Sequence, residues 1–169
     1  MASVLNTIQY FKGAVAKKTK QIRAKPMINL IVDRSVLGQF LVTTLEGKEP
    51  VSPDAMMCVG ESNDAWQQTA TAMLKKYDVT SIDAEGWIVC SPNADVAVEF
   101  FIATADMFRD AESTYVCGAW GETVDGLKNL QKVRPGDAVV RDRSDYTDQW
   151  VVNAKIWRNS YTVISPADV

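Results

Sequence analysis

One spacing of residues occurs twice in this chain without a gap, and it constrains the fold more than any other feature. Trp66 and Trp150 are each followed by Ala at offset 4, a large apolar residue at offset 7, Tyr at offset 11 and Val at offset 13. A looser third copy starts at Phe101 and has about three extra residues before Tyr115. A proline turn precedes each copy, at Pro53, Pro92 and Pro135. Recurrence of this kind indicates one local structure used repeatedly.

Offset 3 in each copy holds a residue that can begin a helix. These residues are Thr69, Thr104 and Asn153, whose side chains can accept hydrogen bonds from backbone N–H groups of a first helical turn. Each copy therefore predicts a proline turn, a strand, a polar loop, a second strand carrying the aromatic residue, a short helix, and a Tyr that begins another strand. In the first copy the offsets also fit one helix over 65–77, so that alternative stays open. We interpret the recurring aromatic residues as core.

The fold class predicted from these units is α+β. We expect three imperfect strand–turn–strand–short-helix units near 51–79, 87–117 and 133–164, which form small and mostly antiparallel sheets. A chain of 169 residues is long enough for one domain with a buried core. We therefore expect a single α+β body over 26–169 and a separate N-terminal arm over 1–25.

The arm is distinguished by its charge. No Asp or Glu occurs before residue 33, although this stretch contains six basic residues, and the remaining chain has 12 basic against 21 acidic residues. Ser3 could cap a helix whose apolar side recurs at helical spacing from Val4 to Val15. Pro26 disfavours helix at the residue before it. The sequence predicts an N-terminal amphipathic helix that is basic, followed by an acidic body.

Three interpretations of the arm remain open. It could pack on its own body with its lysines in solvent, it could dock on an acidic surface of a neighbouring protein, or it could contact phosphates of a nucleic acid. The acidic body would repel nucleic acid, which we therefore consider an unlikely partner. The candidate partner-binding residues are Phe11, Lys12, Lys17, Lys18, Lys20, Arg23 and Lys25.

Several common chemistries lack their usual residues. The chain has no histidine, which is the commonest general base and metal ligand. Its three cysteines, Cys58, Cys90 and Cys117, have no metal-ligand spacing, and we expect them to be small buried apolar residues. No phosphate-binding glycine motif occurs, and no apolar run approaches the ~20 residues of a membrane span. We expect no enzymatic activity, catalytic residue, cofactor, metal or membrane association.

The last repeat also resembles a module of known proteins. The run Pro135-Gly136-Asp137-Ala138-Val139-Val140, continuing through Trp150 to Tyr161, is similar to the C-terminal module of small uncharacterised proteins of tailed bacteriophages and prophages. The run 22–28, Ile-Arg-Ala-Lys-Pro-Met-Ile, is similar to the start of the same proteins. Ala154 stands where that family often has Pro. The resemblance covers about a third of the chain and implies a viral origin without any catalytic residue to transfer.

These observations predict a non-enzymatic bacteriophage protein that acts through protein–protein contacts. Its expected role is a virion structural or assembly component, of the head or decoration type, within an oligomer or larger assembly. The alternative is an intracellular phage effector that binds and inhibits a host or anti-phage defence protein. The expected partners are other viral or host proteins, and the expected location is the virion or the host cytoplasm.

Overall fold

The structure is a computed structural model that describes residues 1–29, 41–110 and 112–166. Short 3-10 helices cover Ile8–Tyr10, Met27–Asn29 and Ala105–Met107. The remaining elements of the described residues, in chain order, are β1 (Ser3–Val4), β2 (Val15–Lys18), β3 (Ile22–Pro26), β4 (Leu41–Thr44), β5 (Gly47–Pro50), β6 (Ala55–Gly60), β7 (Ala65–Thr69), α1 (Ala70–Lys76), β8 (Tyr77–Ile82), β9 (Ile88–Pro92), β10 (Val98–Ile102), β11 (Thr114–Val124), β12 (Leu127–Lys132), β13 (Ala138–Asp142), β14 (Gln149–Val152), α2 (Ala154–Ser160) and β15 (Tyr161–Ser165).

The chain forms two compact units. Unit 1 combines Met1–Lys18 with Ala97–Val169, and unit 2 is the continuous segment Thr19–Val96. The predicted arm at 1–25 and body at 26–169 were distinguished by charge, whereas the two units are distinguished by their packing. That division therefore stays a prediction.

Unit 2 is built on a five-stranded antiparallel sheet with the order β7-β6-β3-β9-β8. Alternate residues of β6 point to opposite faces, as strand geometry requires. Cys58 packs with Ile22, Met73 and Tyr77 in the core that includes a residue of α1. Met57 packs against a second cluster that contains Val42 of the hairpin formed by β4 and β5. Both faces of the sheet therefore contribute to a core.

Unit 1 is built on a second five-stranded antiparallel sheet, with the order β14-β13-β10-β2-β15. One core of this unit includes Val140, Phe100 and Trp157 of α2. A second core includes Phe11, Phe101 and Val116, and it involves the three-stranded sheet β1-β11-β12. The pairing of β1 with β11 is parallel, whereas β11 and β12 are antiparallel.

The two five-stranded sheets are equivalent strand by strand. In each, a hairpin (β6–β7 or β13–β14) leads into a helix and then into the strand at the far edge (β8 or β15). The pairing of Tyr77 with Pro92 corresponds to that of Tyr161 with Lys18. A register shift follows Val79 in β8 and Val163 in β15, at the same relative position. The equivalence therefore includes the register and its irregularity as well as the strand order.

The cores are equivalent as well. Residues of unit 2 and unit 1 that occupy matching positions form the pairs Ile22 and Val98, Ala24 and Phe100, Met56 and Ala138, Cys58 and Val140, Trp66 and Trp150, Met73 and Trp157, Tyr77 and Tyr161, Ile88 and Ala14, and Cys90 and Ala16. Large and small residues are exchanged within several of these pairs. Compensating volumes of this kind keep a core filled.

One strand breaks the equivalence in chain order. The strand between β3 and β8 is β9, which follows β8 after the turn at 83–87. The matching place between β10 and β15 is filled by β2, which comes from the N-terminal end of the chain. Unit 1 is thus completed by a segment that is remote in sequence from the rest of it.

The α+β assignment was wrong. Strands account for 50% of the residues and helices for 15%, so the fold is β-rich. The unit expected near 87–117 does not have the predicted form, because β9 and β10 belong to different sheets and Thr104 makes no side-chain capping bond at the short 3-10 helix that follows it. β10 is instead the counterpart of β3.

The predicted N-terminal amphipathic helix was also wrong. This segment forms β1, a 3-10 helix and β2. Gly13 has a φ of 85°, which interrupts any regular helix at this point. Ala14 and Ala16 are buried whereas Val15 and Lys17 are partly exposed, which is the period of a strand. The spacing of the apolar residues in this segment is compatible with a helix as well as with the observed strands.

The strand–cap–helix order of the first and last units is confirmed. Thr69 accepts a hydrogen bond from the backbone N–H of Ala72 at 3.1 Å, and Asn153 accepts one from Lys155 at 3.0 Å. β7 covers 65–69, so the alternative of one long helix there was wrong. The interpretation of the recurring aromatic residues as core is confirmed for Trp157 and Tyr77, which are buried, while Trp66 and Trp150 pack against the same clusters.

Candidate functional site

The seven predicted partner-binding residues are divided between the two units. Phe11, Lys12, Lys17 and Lys18 belong to unit 1, and Lys20, Arg23 and Lys25 belong to unit 2. The structure therefore does not place them along one helix face, and their role in partner binding stays a prediction.

Phe11 is part of the core of unit 1, with 8% of its surface exposed. Its ring meets the edge of Phe101 at a centroid distance of 4.9 Å, and the guanidinium carbon of Arg141 lies 4.0 Å from its centroid. Arg141 in turn donates three hydrogen bonds of 3.0–3.2 Å to the two carboxylate oxygens of Glu99. The Phe11 ring therefore covers a nearly buried ion pair, and a partner could reach little of it.

Lys17 and Lys18 lie on β2, next to the edge strand β15. Lys17 is opposite Thr162, and Lys18 is opposite Tyr161. The ammonium nitrogen of Lys18 is 5.9 Å from the centroid of the Tyr161 ring, which is within the range of a cation–π contact. Two basic residues thus lie on the strand next to this edge of the sheet.

Arg23 and Lys25 of unit 2 both lie close to the ring of Trp87. The Arg23 guanidinium carbon is 5.5 Å and the Lys25 nitrogen 5.2 Å from the indole centroid. Arg23 is also 3.8 Å from the carboxylate of Asp83, and Lys25 donates to the carbonyl of Glu85 at 3.0 Å. Both cations therefore have partners in their own unit, which reduces what they could offer to another molecule.

The outer edges formed by β8 and β15 are the most accessible apolar surfaces of the two sheets. Val79 and Ile82 on β8 are 51% and 69% exposed, and Val163 and Ile164 on β15 are 50% and 52% exposed. Neither strand contains Lys, Arg or Pro, which natural proteins commonly place on edge strands to prevent pairing with another chain.

The opposite edges are covered by hairpins of the same unit. The backbone N–H of Gln67 in β7 donates to the carboxylate of Glu49 in β5 at 3.4 Å. At the matching position in β14, the backbone N–H of Val151 donates to the side-chain oxygen of Gln131 in β12 at 2.8 Å. Strand β12 itself ends the three-stranded sheet and carries Lys128 and Lys132. Within the described residues, no comparable hairpin is found beside β8 or β15, and neither strand carries a basic residue.

Sequence reasoning missed these two edges, although it had noted a valine at offset 13 in both copies. From the sequence, the recurring aromatic residues were assigned to the core, and this valine was given no role of its own. The signal that could have found the edges is the composition of the strands after Tyr77 and Tyr161, where short polar and β-branched residues alternate without a basic residue.

Three aspartates near β13, namely Asp137, Asp142 and Asp145, stabilise turns of the backbone. Asp142 and Asp145 accept hydrogen bonds from the backbone N–H groups of Ser144 and Thr147, which stabilises the loop between β13 and β14. Asp137 accepts from the backbone N–H groups of Arg134 and Ala154, both at 3.0 Å, and joins the proline turn to the start of α2. Burial raises the pKa of Asp137, although these two hydrogen bonds oppose the shift.

Over 1–29, 41–110 and 112–166, no three His, Cys, Asp or Glu side chains are arranged to hold a metal ion. The helices of those residues are too short to span a membrane. Cys58 and Cys90 are buried as expected, whereas Cys117 is exposed.

Comparison of the chain with family models, with curated proteins and with solved structures finds no match.

Proposed function

We propose that this chain is a non-enzymatic protein that works through protein–protein contacts, as a virion structural or assembly component of a tailed bacteriophage. The observation that carries the first part of the proposal is the pair of exposed apolar edges at β8 and β15. Strand edges are templates for pairing with another chain, and a protein normally protects them unless they are used. Their occurrence on both repeats favours an assembly role over a single binding site.

The bacteriophage assignment rests on a different support, namely the resemblance of the module from Pro135 to Tyr161. In the structure, the residues of this module form a proline turn, β13, β14, α2 and the start of β15. The module is therefore a continuous hairpin and helix of unit 1, and a likeness over such a segment is a stronger indication of common origin than a likeness over an isolated turn.

The experiment that tests the proposal is quantitative mass spectrometry of purified particles and of the cells that produce them. A virion component is expected in particles at a fixed ratio to the major capsid protein, after particles have been separated from free protein on a density gradient. A chain that is abundant in the producing cells but absent from the particles overturns the virion role, and early synthesis in that case favours the alternative of an intracellular effector.

A further inference from the structure

We propose that Glu49 is a pH-sensitive switch in unit 2, which holds the hairpin of β4 and β5 against the edge strand β7 when its carboxyl is protonated and favours detachment of the hairpin when that carboxyl is ionised. The inference does not depend on the proposed function. Because the hairpin covers the edge of β7, its detachment leaves backbone groups of that strand open to water or to another strand.

The hydrogen bonds between the hairpin segment and β7 meet at Gln67, which is 1% exposed. Its backbone N–H donates to the carboxylate of Glu49 at 3.4 Å, and its side-chain nitrogen donates to the carbonyl of Pro50 at 2.6 Å. Its side-chain oxygen accepts from the backbone N–H of Ser52 at 3.1 Å. Of these three bonds, the one to Glu49 has a partner that can change its charge.

The matching position in unit 1 shows what chemistry this place requires. The side chain of Gln131 accepts from the backbone N–H of Val151 at 2.8 Å and donates to the carbonyl of Trp120 at 2.7 Å. A protonated carboxyl can also accept and donate, whereas an ionised carboxyl only accepts. Ionisation of Glu49 therefore puts a charge at a position where the other unit has a neutral group.

The described strands packed against Glu49 carry no positive charge. Strands β4 and β7 contain no ionisable residue, and that of β6 is Cys58, which belongs to the core on the other face of the sheet. Lys48 precedes Glu49 on β5, and alternation along a strand directs it to the opposite face. The turns before and after β5 carry Glu46 and Asp54, which are negative themselves. Nothing among these groups stabilises an ionised Glu49.

The direction of the switch follows from proton binding. Burial raises the pKa of Glu49 from 4.5 to about 7, against the opposing effect of hydrogen bonds from Gln67, and in a detached hairpin the carboxyl regains its ordinary pKa. Between these two values the detached form binds fewer protons, so the ratio of detached to attached hairpin increases about tenfold for each unit of rising pH. The increase ends near pH 7, after about 300-fold in total.

Amide hydrogen exchange of the purified full chain, followed by NMR from pH 4.5 to about pH 8, measures this opening locally. Protection factors are compared, since they remove the intrinsic effect of pH on exchange. The protection of the Gln67 backbone N–H is expected to fall about tenfold per pH unit up to pH 7. The Val151 backbone N–H in unit 1 is the matched control in the same molecule, and its protection should change little.

Two reciprocal substitutions assign the effect to one side chain. Glu49→Gln keeps the shape of the protonated acid but cannot ionise, so the protection of Gln67 should become independent of pH. Gln131→Glu makes the opposite change in unit 1, and the protection of Val151 should then fall with rising pH. Circular dichroism first establishes that the variants keep the native fold.

Three results overturn the inference. Protection of Gln67 that does not change with pH in the native chain excludes the switch, and an equal fall in E49Q excludes Glu49 as its cause. An equal fall at the amides of the central strand β3 would show that unit 2 unfolds as a whole, without separate detachment of the hairpin. If Q131E does not fold, the native chain and E49Q still decide between these outcomes.

Discussion

The side chains of Glu49 and Gln131 have equivalent positions and hydrogen bonds in the two units, although one is an acid and the other an amide. Each accepts the backbone N–H of a strand that ends its five-stranded sheet. Glu49 is 4% exposed, and this burial raises its pKa from 4.5 to about 7 against the opposing effect of hydrogen bonds from Gln67. A protonated glutamic acid has nearly the shape of glutamine, so the two side chains are most alike when Glu49 is uncharged.

This similarity predicts the effect of pH on stability. Between pH 4.5 and about 7 the carboxyl of Glu49 is ionised in the unfolded chain but protonated in the folded one, so the free energy of unfolding decreases as pH rises through this interval. Glu49→Gln should remove that decrease and raise stability above pH 7 by up to about 3 kcal/mol, at ~1.4 kcal/mol per pKa unit. Urea unfolding of the native chain and of Glu49→Gln at several pH values between 4.5 and 7 measures this difference in the free energy of unfolding. If that free energy changes with pH equally in both proteins, the prediction is contradicted.

Removal of the Arg141 side chain is expected to lower the stability of the fold. Its guanidinium group is paired with Glu99 at 3.0 Å and lies over the rings of Phe11 and Tyr146, at 4.0 Å and 3.6 Å from their centroids. Arg141→Ala leaves the nearly buried carboxylate of Glu99 without its cation, which should destabilise the chain by roughly 3–5 kcal/mol.

Equilibrium denaturation measures this loss, with the exposed Arg143→Ala as the control that should change stability by less than about 0.5 kcal/mol. Removing both members of the pair should cost less than the sum of the two single changes. Additive costs would show that the pair is not coupled.

At the scale of elements, the helix caps give a graded prediction. Thr69→Ala and Asn153→Ala each remove a side-chain bond to the first turn of α1 or α2, and each should cost about 1 kcal/mol. Thr104→Ala should cost clearly less, because Thr104 makes no capping bond to the helix that follows it. Thermal unfolding of the three variants compares them directly, and an equal loss in all three would contradict the structural difference.

The elements that could be predicted from sequence are those specified by local chemistry. The caps at Thr69 and Asn153, the proline turn before β13 and the strands that begin at Tyr77 and Tyr161 depend on neighbouring residues, and they are found where expected. The N-terminal segment could not be predicted in the same way, because its strands form through partners more than eighty residues away, such as Thr114 for Ser3 and Val98 for Ala16. Spacing alone does not distinguish a helix from a strand when the long-range partner decides.

The candidate site could be predicted even less. Whether Val79 is buried or exposed depends on the position of β8 at the end of a sheet order that no local pattern specifies. The basic residues, in contrast, were visible in the sequence, but their assignment to two units and the contacts of Arg23 and Lys25 with Trp87 follow from the fold.

At the scale of the whole molecule, the structure is a duplication in which the second copy takes its closing strand from the start of the chain. A circular permutant tests this description. If Val169 is joined to Met1 by a flexible linker and the chain is opened between Lys18 and Thr19, β2 follows β15 in sequence, as β9 follows β8. Both units then become continuous segments.

The permutant should keep the β-rich circular dichroism spectrum and a cooperative thermal transition, because no strand pairing within either unit is changed. A second permutant opened inside β13, between Val139 and Val140, is the control, since both residues are fully buried in the sheet. Loss of structure in the first permutant but not in the second would contradict the role assigned to β2.

The place of β2 also has a consequence for synthesis on the ribosome. Chains are made from the N-terminus and domains generally fold as they emerge. Unit 2 is complete once Val96 has been made, whereas β2, which is made before it, needs β10 and then β15 as neighbours. Strand β2 is therefore made before unit 2 but is enclosed only after β10 and β15 have been made, and until then Ala14 and Ala16, which are buried in the finished protein, stay exposed.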